Sequence, residues 1–264
     1  ENHYGFFLRC PTSFYNRPKR LITIILSISI VFPMCTTVSL ASPANVEYKD
    51  MIYLSDESTI EINERLFEYV QGQTLTEKEL DNYLWIILQE YKDEIQAAQS
   101  LPVPTYDFGY SWNPAELALS EEHPTQWNVY RSVCLWARNA ALAIYITSAC
   151  ENPGVGDAFR HTYWNARLMT RFKEIFAWDR DKCLETTKMW TDAHEQDGEP
   201  WGILHEMDIL NNYAGRNIGY EHFNESEGFL LQEAERYVDE GLCWEIGEVD
   251  GEQVLIRTTN KDKR

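Results

Sequence analysis

Two triplets of polar residues at helical spacing constrain the fold more than any other feature of this sequence. Within each triplet the residues are spaced i, i+4, i+8, which places them on one face of an α-helix. The triplets are Asp157, His161 and Asn165, followed by Asp208, Asn212 and Arg216. Apolar residues surround both triplets, so each polar face belongs to a helix that otherwise resembles protein core. Because polar groups buried between helices must be paired, we expect these faces to meet inside a helical domain.

A third polar group belongs to the same region. His194 and Glu195 end an amphipathic segment between the two triplets, and Arg160 precedes His161. Gly215 lies one step round the helix from the second triplet, although glycine in a helix is about 1 kcal/mol less favourable than alanine. A glycine kept at such a position favours close approach by another helix or by a ligand. The sequence therefore predicts a polar centre between three helices.

The remaining periodicity is also helical, with turns marked by Gly, Pro and capping residues. Helices are predicted at 58–71, 76–99, 126–148, 157–177, 180–196, 204–218 and 225–240, with a further one starting at Asn113. Thr76 and Glu79 form a capping box, and Asp157 is the predicted N-cap of its helix. Short apolar segments on either side of Asp250-Gly251 predict a hairpin. The predicted fold class is mostly α, a multi-helix orthogonal bundle with a short C-terminal β-hairpin.

Four segments are expected along the chain. They are a signal peptide at 1–41, an N-terminal helical region and linker at 42–111, a helical core domain at 112–240, and the hairpin with a charged tail at 241–264. The linker is placed where a run rich in Pro, Gly and aromatic residues interrupts the helical pattern.

The signal peptide is predicted from the order of its parts. A basic cluster at 17–20 precedes an uncharged run at 21–35, and 39–41 has the small-x-small pattern of a cleavage site. The uncharged run is shorter than the roughly 20 residues of a membrane span, which favours cleavage near Ser42 over a stable membrane anchor. The residues before the basic cluster are interpreted either as a fragment or as a spurious extension from a misassigned start. The expected localisation is secreted or cell-envelope.

Net charge restricts the partners. The 264 residues include 23 Lys and Arg against 42 Asp and Glu, for a formal charge of −19. This balance argues against a protein that binds duplex nucleic acid through a broad basic face, because phosphate neutralisation needs Lys and Arg. The expected partner is instead a small-molecule, lipid or cell-wall substrate.

Cysteine usage gives two alternatives. Four cysteines follow the predicted cleavage site: Cys134, Cys150, Cys183 and Cys243. In an exported protein an even number permits one or two disulfides, and buried thiols are the other interpretation. A thiolate zinc site is not expected, because no CxxC spacing occurs.

The polar centre has the residue types of a hydrolase. The candidate catalytic residues are Arg160, His161, Asn165, His194, Glu195, Asp208, Asn212 and Arg216. The histidines can act as general bases, the carboxylates can transfer protons or orient an imidazole, and the arginines can stabilise negative charge. The asparagines can position a substrate. Ester, phosphoester and cell-wall glycan bonds all fit, and a glycan would need two carboxylates in one cleft.

A metal-assisted reaction is part of the same hypothesis. His161, His194 and Asp208 form a candidate ligand set, since imidazole and carboxylate suit zinc or a similar divalent metal. The sequence contains no complete zincin motif, nucleophile elbow or P-loop that would specify the chemistry further.

The polar positions also carry a resemblance. Three blocks contribute to it: D-A-F-R-H-x-x-W-N at 157–165, D-A-H-E at 192–195 and M-D-x-x-N-N-x-x-G-R at 207–216. Together with N-P-A-E at 113–116, they resemble an uncharacterised bacterial family of domains of unknown function, found in secreted proteins and at the C-terminus of large surface or toxin-like proteins. The resemblance covers residues 112–222. It implies a helical domain defined by these polar residues, and it implies no activity.

A different class of function explains the same residues. In a non-catalytic secreted binding or interaction module, the polar set would be a structural network, and a toxin- or immunity-type partner is a third interpretation. Exposure separates the first two, because a catalytic set must open to a cleft whereas a structural set is sealed and fully paired.

Overall fold

The computed structural model describes residues 47–99, 112–151, 153–196 and 202–264. The predicted signal peptide at 1–41 therefore lies outside the described residues, as do residues 100–111 of the predicted linker. Within the described ranges, no helix combines the length and the apolar character needed to cross a bilayer.

The chain is mostly helical and ends in a two-stranded antiparallel hairpin, which confirms the predicted fold class. In chain order the helices are α1 (Asp56–Val70), α2 (Glu77–Leu88), α3 (Lys92–Gln99), α4 (Pro114–Glu122), α5 (Pro124–Ile144), α6 (Thr147–Glu151), α7 (Val155–Phe176), α8 (Arg180–His194), α9 (Ile203–Glu221) and α10 (Glu227–Asp239). The strands are β1 (Trp244–Val249) and β2 (Glu252–Arg257).

Capping boxes begin two of these helices. Thr76 and Glu79 form the predicted box in front of α2, and Asn113 and Glu116 form another in front of α4. In a capping box the N-cap side chain and the third helical residue each accept a hydrogen bond from the other's backbone N–H. The second box fixes the Glu116 carboxylate at the start of α4, beside the polar centre.

The helix expected at 126–148 ends earlier, at Ile144. At this point the C-terminal tail forms backbone hydrogen bonds with residues 144 and 146. The Arg264 N–H donates to the Ile144 carbonyl (2.9 Å), and the Ile146 N–H donates to the Asp262 carbonyl (2.9 Å). These contacts replace the next helical hydrogen bonds, and because their partners are distant in sequence, helical periodicity does not reveal them.

The start of α7 differs from the prediction. Gly154 is the N-cap, not Asp157, and the helix begins at the fully buried Val155. Asp157 is therefore the third helical residue, and its carboxylate accepts hydrogen bonds from the Arg160 side chain rather than capping the helix. The earlier start leaves this carboxylate facing the polar centre.

Helix α7 is buried along most of its length, and α9 crosses it at very short range. A Cβ atom added at Gly215 would lie 2.2 Å from the Thr162 carbonyl oxygen, and one at Gly219 would lie 2.9 Å from that of Ala166. Both distances are shorter than real Cβ contacts, so glycine is required for this crossing. The predicted close approach at Gly215 is thus an approach by another helix.

The C-terminal hairpin docks on α9 through one side chain. The Trp244 N–H donates to Asn211 Oδ1 (2.9 Å), and Asn211 Nδ2 donates to the Trp244 carbonyl (2.9 Å). Asn211 therefore satisfies the backbone of β1 as a neighbouring strand would. Asp250 and Gly251 both have positive φ (54° and 84°), which closes the hairpin where the sequence predicted.

Buried arginines join the N-terminal helices to the bundle. Arg131 on α5 donates to the Met51 and Leu54 carbonyls, and Arg171 on α7 donates to Asn63 Oδ1 on α1. Each arginine is almost fully buried. Because a buried guanidinium is costly unless it is hydrogen-bonded, these contacts tie the segment 47–99 to α5 and α7.

The four cysteines are buried thiols: Cys134, Cys150, Cys183 and Cys243. Burial raises the pKa of Cys183 to about 12 and that of Cys243 to about 11. Thiols with such pKa values are poor nucleophiles and poor metal ligands. In the described part of the chain, the disulfide interpretation is therefore not realised.

Candidate functional site

The two polar triplets meet between α7 and α9, where asparagines hold the His161 imidazole. Asn212 Oδ1 accepts hydrogen bonds from His161 Nδ1 (3.0 Å) and from Asn165 Nδ2 (2.7 Å). Asn212 Nδ2 donates to Glu195 Oε1 (2.7 Å), which fixes the orientation of the amide. Because Asn212 Oδ1 can only accept, His161 carries a proton on Nδ1 and presents Nε2 to the groups on its other side.

Charged groups surround His161 Nε2. Arg160 Nη2 lies 2.9 Å from this nitrogen and also donates to Asp157 Oδ1. Asp208 Oδ1 lies 3.4 Å from the same nitrogen, and Asp157 Oδ1 lies 3.7 Å from it. Together with Glu195, these residues form what we call the His161 cluster: Asp157, Arg160, His161, Glu195 and Asp208.

All three carboxyl groups of the cluster hold their protons more tightly than usual. Burial raises the pKa of Asp157 and of Glu195, and in each case nearby positive groups oppose the shift. Burial also raises the pKa of Asp208 well above its ordinary value, and the charges of Asp157 and Glu195 raise it further. Three carboxylates at such short range cannot all ionise without a compensating cation.

At Asp208 the charges of Arg160 and His194 oppose the shift without cancelling it. The Asp208 Oδ1 atom is buried, and the described residues provide no hydrogen-bond donor for it. Asp157 differs, because Arg160 Nε and Nη2 both donate to its Oδ1. The two aspartates thus lie in contrasting environments, one paired with a guanidinium and the other unpaired.

One group of atoms in the cluster has the spacing of a metal site. Asp157, His161 and Asp208 each offer one ligand atom, and these atoms lie within 4.8 Å of one another. His194, which the sequence placed in the ligand set, is not in this group, and Asp157 takes its place. The Arg160 guanidinium contacts both Asp157 and His161, so a divalent cation would have to displace it.

A second histidine lies beside the cluster and is held by a buried carboxylate. His194 Nδ1 lies 2.9 Å from Glu116 Oε1, which also accepts a hydrogen bond from the Tyr130 hydroxyl (2.5 Å). The other carboxylate oxygen accepts from the Asn113 N–H (2.9 Å). We call Glu116 and His194 the His194 dyad. The edge of the Trp164 ring packs against the imidazole, with centroids 5.1 Å apart.

The dyad and the cluster are adjacent. The ring centroids of His161 and His194 lie 6.4 Å apart. Asn113 Nδ2 donates to the carbonyls of Ala193 (2.8 Å) and His194 (2.9 Å), so the start of α4 also fixes the end of α8. The candidate site therefore draws on α4, α7, α8 and α9.

Exposure divides the site into an interior and a mouth. Asn165 and Asn212 are fully buried, and the His161 side chain is only 2% exposed. The side chains of Asp208 and His194 are about one fifth exposed, at 20% and 21%. Solvent therefore reaches the site beside Asp208 and His194, while the asparagines lie behind them.

Arg216 belongs to the interior. Its Nη1 donates to Thr191 Oγ1 (3.0 Å) and Asn165 Oδ1 (3.3 Å), and its ion pair is with Asp192, at 4.0 Å. These contacts hold α8, α7 and α9 together. Of the two arginines in the predicted catalytic set, only Arg160 contacts the carboxylates of the His161 cluster directly.

Two residues of the site are absent from the predicted catalytic set. Asp157 was predicted as an N-cap and as a member of the first polar triplet, and Glu116 appeared only in the resemblance. Glu116 lies 78 positions before His194, so no spacing rule connects them. A local signal was present, because Asn113 and Glu116 have the spacing of a capping box, which predicts a fixed carboxylate at the start of α4.

Comparison with known proteins gives one finding. The family model of a domain of unknown function (DUF6973) matches residues 118–241. This range includes α5 to α10 and all of the site except Asn113 and Glu116. Neither a curated protein nor a solved structure matches the chain.

Proposed function

We propose that this protein is a hydrolase that works by general acid–base catalysis at the mouth formed by Asp208 and His194. Asp208 is the proton donor, and the His194 dyad is the general base. The observation that supports this proposal most directly is the unpaired, buried Oδ1 atom of Asp208, 3.4 Å from His161 Nε2. A purely structural network would pair this oxygen, because an unsatisfied buried polar atom is destabilising.

The contrast between the two aspartates supports the assignment of the acid. Neighbouring carboxyl groups whose environments push their pKa values apart are the usual acid and base pairs of hydrolases. Burial raises the pKa of both aspartates, but the Arg160 guanidinium opposes the shift at Asp157, whereas neighbouring negative charge adds to the shift at Asp208. Asp208 is therefore the group that carries a transferable proton.

The His194 dyad has the arrangement of a general base. A buried carboxylate that accepts from Nδ1 of a histidine fixes its tautomer and stabilises the imidazolium that forms when Nε2 takes a proton. Glu116 provides this carboxylate, and its remaining contacts to Tyr130 and Asn113 hold it in place. His194 reaches solvent, so a water molecule at the mouth is the natural proton source.

The charge of the cluster favours an uncharged scissile bond. Arg160 is already paired with Asp157, and the carboxyl groups would repel a phosphoester. We therefore favour ester and glycan bonds over phosphoesters, with a small molecule, a lipid or the cell wall as the source. We further propose that the protein acts outside the cytoplasm, in accordance with the predicted signal peptide.

A metal-assisted reaction is the competing mechanism. A divalent cation held by Asp157, His161 and Asp208 would act as a Lewis acid and would neutralise the carboxylates. It would have to displace Arg160, whose guanidinium already supplies positive charge at that position. The two mechanisms differ in their response to chelation.

The test is hydrolysis by the purified chain of p-nitrophenyl butyrate, dye-labelled peptidoglycan and bis-p-nitrophenyl phosphate, with and without EDTA. We expect turnover of the ester or the glycan that EDTA leaves unchanged. Asp208→Asn and His194→Gln should each lower the rate by about 10²–10⁴-fold, the usual contribution of a general acid or base. Glu206→Gln, an exposed change on the same helix as Asp208, is the matched control and should retain full activity.

Three other results of this activity test would lead to different conclusions. Activity that EDTA removes and zinc restores would replace acid–base catalysis by the metal-assisted mechanism. Full activity in Asp208→Asn would reject Asp208 as the acid. Absence of activity on all three substrates in a folded protein would favour the binding module, in accordance with the sealed pairing of Asn165 and Asn212.

A further inference from the structure

A cavity lies apart from the mouth, where the hairpin meets the start of α7. Its volume is about 490 Å³, and its lining comes from α6, the loop before α7, β1 and the C-terminal tail. Cavities of about 300–1,000 Å³ are the usual size for small-molecule sites. The catalytic proposal does not involve this cavity.

Glu245 is the unusual residue of this cavity. Its side chain is only 1% exposed, and Oε2 pairs with the half-exposed ammonium of Lys261 (3.0 Å). Its Oε1 atom is buried, and no donor for it occurs in the described part of the chain. A buried carboxylate with an incomplete set of donors is destabilising, and an apolar residue would be more favourable at this position.

The backbone on both sides keeps Glu245 in this place. Trp244 is held by two hydrogen bonds to Asn211, and the Ile246 N–H donates to the Pro153 carbonyl (3.1 Å). The backbone of the strand therefore cannot turn residue 245 to the opposite face without breaking these contacts.

The lining has the chemistry of a site for an organic cation. Glu248 and Asp262 also line the cavity, so its carboxylates outnumber its single lysine, Lys261. Ile146 and Pro153 add an apolar wall that suits an aliphatic chain. A bare metal ion fits less well, because the only described residues that bring three ligand atoms within 4.8 Å are Asp157, His161 and Asp208.

We infer that this cavity binds a ligand with a primary ammonium group, which pairs with the Glu245 carboxylate while its aliphatic part packs on Ile146 and Pro153. The amine would supply a donor to a carboxylate that the described residues leave partly unsatisfied. Lys261 partly satisfies the same carboxylate from the solvent side and therefore competes with the ligand. This inference is independent of the hydrolase proposal.

The test is titration of the full chain with butylammonium chloride at pH 7, followed by the backbone amide signals of residues 146–154 and 244–248. Butan-1-ol is the neutral probe of equal shape, and magnesium chloride is the metal probe. We expect saturable binding of the amine in the millimolar range, as suits so small a ligand, and neither butan-1-ol nor Mg²⁺ should produce it.

Two variants identify the group that binds. Glu245→Gln should weaken amine binding by about ten-fold or more, because a charge-assisted hydrogen bond is lost. Glu252→Gln removes an exposed charge from β2 of the same hairpin and should change the affinity by less than two-fold. If Glu245→Gln does not fold, Lys261→Met is the alternative test of amine binding at Glu245. Removal of the competing cation should tighten amine binding several-fold.

Equal binding of butan-1-ol, or an unchanged affinity in folded Glu245→Gln, would overturn the inference. So would Mg²⁺ binding that depends on Glu245 in the absence of amine binding, or an unchanged affinity in Lys261→Met. The blocked peptide N-acetyl-Gly-Lys-Gly-amide, whose one ammonium group is the lysine side chain, then separates two sources of the ammonium group. Competition by the peptide assigns the cavity to a lysine side chain of a partner, and failure to compete assigns it to free amines.

Discussion

Asp208 is the residue at which function and stability are most clearly opposed. Its raised pKa means that the folded state holds the proton more tightly than the unfolded state. The stability that this proton provides is complete below the unfolded pKa of about 3.9 and is lost as the pH rises through the folded pKa. At neutral pH the unfolded chain has released this proton whereas burial still favours it in the folded state, so Asp208 lowers the stability of the fold.

We predict that Asp208→Asn is more stable than the parent chain at pH 7, by about 1–3 kcal/mol, the usual penalty for an unsatisfied buried group. For a chain of this size the melting temperature should rise by about 2–4 °C per kcal/mol. The difference should shrink towards zero near pH 4, where the unfolded parent chain also binds this proton. Thermal melts of both chains from pH 4 to pH 8 measure it.

The Glu206→Gln variant is the control for this effect, because it removes a nearby but exposed carboxylate from the same helix. Its melting temperature should follow that of the parent chain at every pH. If Asp208→Asn is instead less stable at pH 7, then Asp208 takes part in a satisfied structural network and is not an unpaired acid.

The His194 dyad predicts a change of tautomer. The neutral His194 ring is held with its proton on Nδ1, because the Glu116 carboxylate accepts a hydrogen bond there. Glu116→Gln keeps the shape, but its amide must turn an N–H towards either His194 or the Asn113 N–H. We expect a loss of about 1–3 kcal/mol of stability and a mixture of His194 tautomers. Long-range ¹H–¹⁵N spectra of the imidazole report the tautomers without any substrate.

Tyr130→Phe is the milder companion variant. It removes one donor to Glu116 but leaves the carboxylate and its contact with His194 in place, so the Nδ1–H tautomer should persist. An unchanged tautomer in Glu116→Gln would show that the contact between Glu116 and His194 does not control the imidazole, and it would remove the main support for His194 as the general base.

Residue spacing predicts only part of this site. The triplets at 157–165 and 208–216 were found because helical spacing places their members on common faces. Spacing could not reveal Glu116, which approaches His194 only after the bundle folds. It also could not separate Arg160 from Arg216, since their different partners depend on which neighbouring helix each side chain meets.

At the scale of the helices, the crossing of α7 and α9 predicts a strong effect of one methyl group. Gly215→Ala would place a Cβ atom 2.2 Å from the Thr162 carbonyl oxygen, a backbone atom that cannot move away easily. We expect destabilisation of about 3 kcal/mol or more, the upper end of the overpacking range. Urea unfolding monitored by circular dichroism measures this loss.

Gly228→Ala is the matched control, since Gly228 lies in helix α10 and its added Cβ atom would meet nothing within 4 Å. Helix propensity favours alanine there by up to about 1 kcal/mol, so this variant should be slightly more stable than the parent chain. Equal effects of the two substitutions would mean that α9 does not approach α7 as closely as the structure shows.

The helices themselves were largely predictable, whereas their interruptions were not. Caps and periodicity predicted α7 to α10 within a few residues, because these signals are local. The helix expected at 76–99 is divided by a 3₁₀ turn at Gln89–Tyr91, for which the structure shows no single cause. The helix that contains Ile144 ends where the C-terminal tail pairs with it, a contact between segments far apart in the chain.

At the scale of the whole molecule, the matched domain and the cooperative fold do not coincide. The domain of unknown function begins at residue 118, yet Asn113 and Glu116 complete the site just before it. Segment 47–99 contributes carbonyl acceptors to the buried Arg131, and the hairpin after residue 241 docks on Asn211. The apolar core likewise extends from Met51 into α5 and α7.

We therefore predict that a fragment limited to residues 118–241 does not fold cooperatively. Removal of segment 47–99 would leave Arg131 and Arg171 buried without several of their acceptors, and loss of a partner from a buried charge costs about 3–5 kcal/mol. That amount is comparable to the total stability of many domains, about 5–15 kcal/mol. The fragment should retain helical circular dichroism, bind a hydrophobic dye and melt without a sharp transition.

Residues 43–264, which form one compact unit, are the control and should melt cooperatively. A sharp melt of the short fragment would instead show that the matched domain is an independent folding unit, and that the N-terminal helices were added to a domain already stable without them.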